Sequence, residues 1–149
     1  RTRAVTAMAG TFGYELDLQK LQEEERAVVR QQIAFMKEYR EVIQFGTFYR
    51  LRSPFEHNIA AWMVVSDDKK TAVVGYYKIL NDVNCEFRRL RLKGLDPDMR
   101  YGVGDSDGWF YGDELMESGL VTTDASAGQP AFGEFCTDFW SRIYVLKAF

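Results

Sequence analysis

The chain has 149 residues and a formal net charge of −3, with 46% hydrophobic and 15% aromatic residues. That composition can bury a core and is unlike a disordered polymer. The weak negative charge offers no field for nucleic acid or an anionic membrane, and no apolar run is long enough to span a bilayer.

Residues Val5 to Gly10 are small and apolar and read as a short buried strand ending in a turn. Gly10 and Gly13 bracket Thr11 and Phe12, where glycines permit a sharp turn or close approach to a ligand. A long helix is predicted from Glu23 to Phe45. Glu23, Glu24 and Glu25 crowd its first turn, where the helix dipole favours negative charge, and Gly46 stands where a C′ glycine is expected. Val28, Val29, Ile33, Phe35, Met36, Tyr39, Val42 and Ile43 form one wide apolar stripe on it. Such a helix is about 34 Å long. Burying that stripe is worth on the order of 10–20 kcal/mol gross, before conformational entropy is subtracted. It calls for a sheet to pack against.

From Thr47 the period changes from helical to alternating. Thr47 to Arg52 reads as a strand anchored by Phe48 and Leu51, stopped by Pro54. Ile59 to Val65 is apolar on both faces and is expected to be central. It pairs as a hairpin with Thr71 to Leu80 through the polar turn 66–70. Phe87 to Leu92 follows; its leucines alternate with Arg89, Arg91 and Lys93, as on a half-solvated strand face. Turns at 94–98 and 105–108 flank a strand from Met99 to Val103. Trp109 to Tyr111 is a further short strand, Gly112 to Leu120 is irregular, Ser126 to Gly133 is loose, and Phe139 to Leu146 is the last strand. Short strands and frequent turns predict a mainly β chain, an antiparallel β-sandwich over 47–149. Residues 1–46 read as the last strand and long helix of a (β/α)8 barrel. An opening Arg1 in place of Met suggests excision from something longer.

Few residues offer chemistry. Glu15 with Asp17 read as turn and cap acids, and Asp113 and Glu114 sit beside Gly112 with nothing around them that marks a catalytic role. Asp105 and Asp107 lack the full calcium-loop pattern, and Glu134 and Asp138 flank Cys136 without further context. His57 is the one histidine, so neither a histidine metal cluster nor a triad is expected. Ser53 and Cys85 are nucleophiles in name only. No metal or other cofactor is expected. Cys85 and Cys136 lie far apart, no secretion signal is visible, and reduced thiols in a cytoplasmic protein are the expectation.

Several stretches together resemble the C-terminal end of family 36 glycoside hydrolases, the bacterial α-galactosidases. They are Gly10-Thr11-Phe12-Gly13-Tyr14-Glu15-Leu16-Asp17, Ile43-Gln44-Phe45-Gly46-Thr47-Phe48-Tyr49-Arg50-Leu51 and Ser53-Pro54-Phe55-Glu56. Further on come Ala61-Trp62-Met63-Val64-Val65-Ser66, Val74-Gly75-Tyr76-Tyr77, the run from Phe87 to Pro97, and Tyr111-Gly112-Asp113-Glu114-Leu115-Met116. The resemblance implies a larger enzyme with an N-terminal β-domain, a central barrel and a C-terminal β-domain. It implies retaining hydrolysis of terminal α-galactosyl groups, as in melibiose and raffinose, by two carboxyl groups about 5–5.5 Å apart. The family's nucleophile is an Asp directly after Trp. No Trp-Asp pair occurs here, so no catalytic residue is carried over and the 149 residues alone are expected to be inactive. The resemblance places Gly10, Thr11, Phe12 and Gly13 after the last barrel strand, at the rim where barrel pockets lie.

Two other roles compete with that of a structural cap. Trp109, Phe110 and Tyr111 would stack on sugar rings if the β-domain were a carbohydrate-binding module. Homo-oligomerisation is expected, with self-association through the helix face of Val29, Ile33, Met36 and Ile43.

Overall fold

The structure, a computed structural model, describes residues 2–80, 89–104, 108–122 and 138–149. Both cysteines, Asp105, Asp107, Glu134 and the loose stretch 126–133 lie outside the described residues. The chain forms α1 (Thr2–Ala7), α2 (Glu23–Phe45), β1 (Thr47–Arg52), β2 (Ile59–Val65), β3 (Thr71–Lys78) and β4 (Arg89–Leu90). It continues with β5 (Arg100–Val103), β6 (Trp109–Tyr111), α3 (Gly112–Glu117), β7 (Leu120–Val121) and β8 (Trp140–Ala148). Six strands make one antiparallel sheet in the order β1-β2-β3-β8-β5-β6, and β4 pairs with β7 in a second.

The two faces of the large sheet follow from alternation along each strand. Ile59, Ala61, Met63 and Val65 of β2, Ala72, Val74 and Tyr76 of β3, and Trp140, Tyr144 and Leu146 of β8 point into the main core. Leu90, Leu92 and Leu120 from and beside the small sheet, and Leu115 from α3, close that core from the other side. This is the expected mainly β, two-sheet arrangement. The opposite face carries Trp62, Val64 and Val73, and it is covered by Tyr39 with Phe35, Val42 and Ile43 of α2. β2 is therefore buried on both sides, as its doubly apolar sequence requires.

The helix α2 has the predicted limits. Its first turn is closed by the Gln22 N–H donating to Glu25 Oε2 at 3.0 Å. Gly46 follows it, but at φ −71 and so outside the left-handed region. The glycine is there for space: a Cβ would lie 2.5 Å from the Val65 carbonyl oxygen.

Several expectations need correction. Val5 to Gly10 is not a strand: Thr2–Ala7 is helical, with Met8 N–H continuing to the Ala4 carbonyl at 3.0 Å. Residues small enough for a buried strand are equally at home in a helix when no neighbouring strand claims their backbone. Gly112 to Leu120 is not irregular but contains α3 and the start of β7. In β1 it is Tyr49 and Leu51 that pack on the core, while Phe48 is exposed and stacks on Trp62 at 6.4 Å. An irregularity in the pairing at Arg50–Arg52 breaks the simple alternation there. β3 stops at Lys78, before Leu80. The α2 stripe is only half used. Val28 and Ile33 are 50% and 37% exposed, because the sheet underlies only the C-terminal half of the helix.

Candidate functional site

The stretch of interest lies between α1 and α2. Residues 11–15 take no regular secondary structure, and Gly10, Thr11 and Gly13 are exposed, with Phe12 half-buried. A Cβ at Gly10 or Gly13 would meet nothing within 4 Å, so neither glycine is required here by packing. Phe12 sits edge-on to Tyr14 at 5.2 Å, and the Tyr14 hydroxyl donates to Gln32 Oε1 on α2. Burial pushes the Tyr14 phenol above its ordinary pKa.

On the other side of the loop, α1 rests on the sheet. Val5 and Met8 are buried. The Tyr77 hydroxyl donates to the Val5 carbonyl at 2.9 Å and accepts the Trp62 indole N–H at 3.0 Å. Burial raises the Tyr77 pKa, opposed by the hydrogen bond from Trp62. These contacts join Tyr77 to Val5, 72 positions away, and to Trp62, 15 positions away, and have no signature in the local sequence. The one trace is Gly75, which faces Trp62 across the β2–β3 ladder, since only a glycine leaves room for the indole.

Asp17 does the turn and cap work expected of it, and Asp113 is found in a like role. Asp17 Oδ1 accepts the Gln19 N–H at 3.0 Å at the start of a 3-10 turn, and Asp113 Oδ1 accepts the Glu114 N–H at 2.6 Å in the first turn of α3. His57 is exposed in the bend before β2. Among the described residues no three His, Cys, Asp or Glu gather as metal ligands, and no helix is long and apolar enough to cross a membrane. Trp109 and Tyr111 are half-exposed on one face of β6, edge-to-face at 5.1 Å. The Arg100 guanidinium lies 5.2 Å from the Trp109 ring and 5.5 Å from that of Phe149.

The description Glycosyl hydrolase family 36 C-terminal domain matches residues 59–146, and the description Melibiase matches residues 1–46. Alpha-galactosidase AgaA of Geobacillus stearothermophilus is 46% identical over 148 residues, which is 99% of this chain and 19% of that protein. The bifunctional alpha-galactosidase/sucrose kinase AgaSK of Mediterraneibacter gnavus is 42% identical over 137 residues, 89% of this chain and 15% of that protein. Among solved structures, the GH36 alpha-galactosidase AgaB of Geobacillus stearothermophilus superposes with a TM-score of 0.86 at 46% identity, covering 99% of this chain and 19% of that one. An AgaA variant in complex with raffinose gives 0.85 at 45% identity, with the same coverage. The chain thus spans about a fifth of the length of these relatives. The first of the two family descriptions covers more than half of its residues, and on that ground the chain belongs to glycosyl hydrolase family 36.

Proposed function

We propose that these 149 residues are the C-terminal part of a retaining α-galactosidase, which removes terminal α-galactosyl groups from oligosaccharides such as melibiose and raffinose. The observation that carries this is one likeness running through 99% of the chain, at 46% identity, to a protein named as an alpha-galactosidase. Relatives solved with raffinose and with stachyose support the substrate class. In this reading residues 1–46 complete the barrel and 47–149 form the β-domain that caps it. Gly10, Thr11, Phe12 and Gly13 line the sugar pocket. The two carboxyl groups that break the bond come from outside this stretch, since it holds no Trp-Asp pair. Self-association through the open part of α2 belongs to the same proposal. Met36 is buried and Ile43 packs on the sheet, so Val28, Val29 and Ile33 are what a second copy would meet.

The test is hydrolysis of melibiose, raffinose and stachyose. The longer enzyme carrying this stretch is expected to release galactose with retained configuration, and the 149 residues alone to release none. Turnover by the 149 residues alone, or none by the longer enzyme, overturns the proposal.

A carbohydrate-binding role is favoured by one observation, the half-exposed Trp109–Tyr111 pair. Trp62 and Trp140 are buried, so a fluorescence change on adding galactose reports mainly on Trp109. The structural reading expects no change.

A further inference from the structure

The loop from Met8 to Gly13 is located by what holds its ends, because Gly10, Thr11 and Gly13 are exposed and little packs against them. Downstream it is tied to α2 through Tyr14 and Gln32. Upstream it hangs from α1, a helix of six residues that is too short to persist on its own. Besides the burial of Val5 and Met8, a set of hydroxyl groups holds α1 in place. Tyr77 donates to the Val5 carbonyl, and Trp62 fixes the Tyr77 oxygen by donating its indole N–H. Thr2 donates to the Phe139 carbonyl and accepts from Ser141, a fully buried hydroxyl, at 3.1 Å.

Two further features mark this seam as built. Phe139 is held at φ +53, a conformation costly for a bulky residue, with its N–H donating to the Ile79 carbonyl at 3.0 Å. The strained residue presents its carbonyl to Thr2. The seam also borders open space: a surface cleft of about 410 Å3 is lined by Thr6 and Ala9 on one side and Trp62 and Tyr77 on the other. On that side apolar packing does not enclose α1, and the directional hydrogen bonds help decide where it sits.

We propose that Tyr77, oriented by Trp62, is a positioning residue through which the β-sheet sets the Met8–Gly13 loop against the galactosyl group. This rests on the reading above, in which that loop lines the sugar pocket. The variant is Tyr77→Phe, which keeps the ring and removes the hydroxyl.

In the 149-residue chain, amide exchange at residues 8–10, whose N–H groups donate to the carbonyls of Ala4, Thr6 and Ala7, is expected to quicken about tenfold, the equivalent of one lost hydrogen bond, while β2 and β3 are unchanged. Unaltered exchange at 8–10 overturns the positioning role. In the longer enzyme, KM for melibiose is expected to rise several-fold with kcat within about twofold of the unaltered enzyme. A purely structural role would lower thermal stability and the active fraction but leave KM where it was, and that result also overturns the proposal. If the unaltered enzyme hydrolyses no α-galactoside, the substrate reading fails, and the exchange measurement still judges Tyr77 by itself.

Discussion

Gly75 shows how much one missing side chain decides. A Cβ there would come within 2.4 Å of the Trp62 ring, which is itself pinned by its bond to Tyr77. Gly75→Ala is expected to cost about 1–3 kcal/mol of stability in urea unfolding, the usual penalty of overpacking. Adding Trp62→Phe to that variant should recover part of the loss. Asp68 works by hydrogen bonding: it accepts from the Ser66 hydroxyl at 2.7 Å and from the Lys70 N–H at 3.0 Å, and these hold its carboxyl below the ordinary Asp range. A lowered folded pKa means the unfolded chain binds more protons in acid. The stabilisation is therefore complete above about pH 4 and is lost as pH falls through the folded value. Asp68→Ala should be less stable than the unaltered chain at pH 7, and the difference should shrink at pH 3.

At the scale of elements, α2 is divided. Its C-terminal half lies on Trp62, Val64 and Val73, and Lys147 of β8 adds an ion pair to Glu38 at 3.0 Å and a cation–π contact with Tyr39 at 5.3 Å. Its N-terminal half has exposed Val28 and Ile33 and relies on helix-surface pairs such as Glu23 with Arg30. Exposed pairs of that kind contribute little. Amides 35–45 are therefore expected to exchange more slowly than amides 26–33 in the isolated chain, and equal protection would contradict this division. The short strand β5 is tied down differently. The buried Tyr101 hydroxyl donates to the Lys69 carbonyl at 2.8 Å and accepts the Asp96 N–H at 3.0 Å, joining two turns that sequence alone leaves unconnected.

For the whole molecule, the same open helix surface bears on the proposed self-association. Exposed Ile33 and half-buried Val29, one turn apart, with exposed Val28 beside them, leave an apolar strip that water does not favour. Concentration-dependent self-association of the 149-residue chain is expected in light scattering, and Ile33→Glu should abolish it without loss of thermal stability. A monomeric mass at every concentration would remove the α2 surface as a contact. In the longer enzyme the barrel would cover that strip, so the same substitution should there lower stability.

Much was legible in the residues themselves. The helix Glu23–Phe45, the β2–β3 hairpin and the Arg89–Lys93 alternation are local patterns, and a period of 3.6 or 2 is written directly into neighbouring side chains. The likeness to family 36 was legible for the same reason, as a series of short words in order. The surroundings of the proposed Gly10–Gly13 segment were less so: the contacts of Tyr77 with Val5 and Trp62 have no local pattern to announce them. Tertiary structure alone decided that the last strand, β8, inserts between β3 and β5, that Thr2–Ala7 coils into a helix and that α2 is covered over only half its length. Each of these depends on partners far away in the chain. Local periodicity tells which face of a segment must be buried, but not which distant surface will bury it.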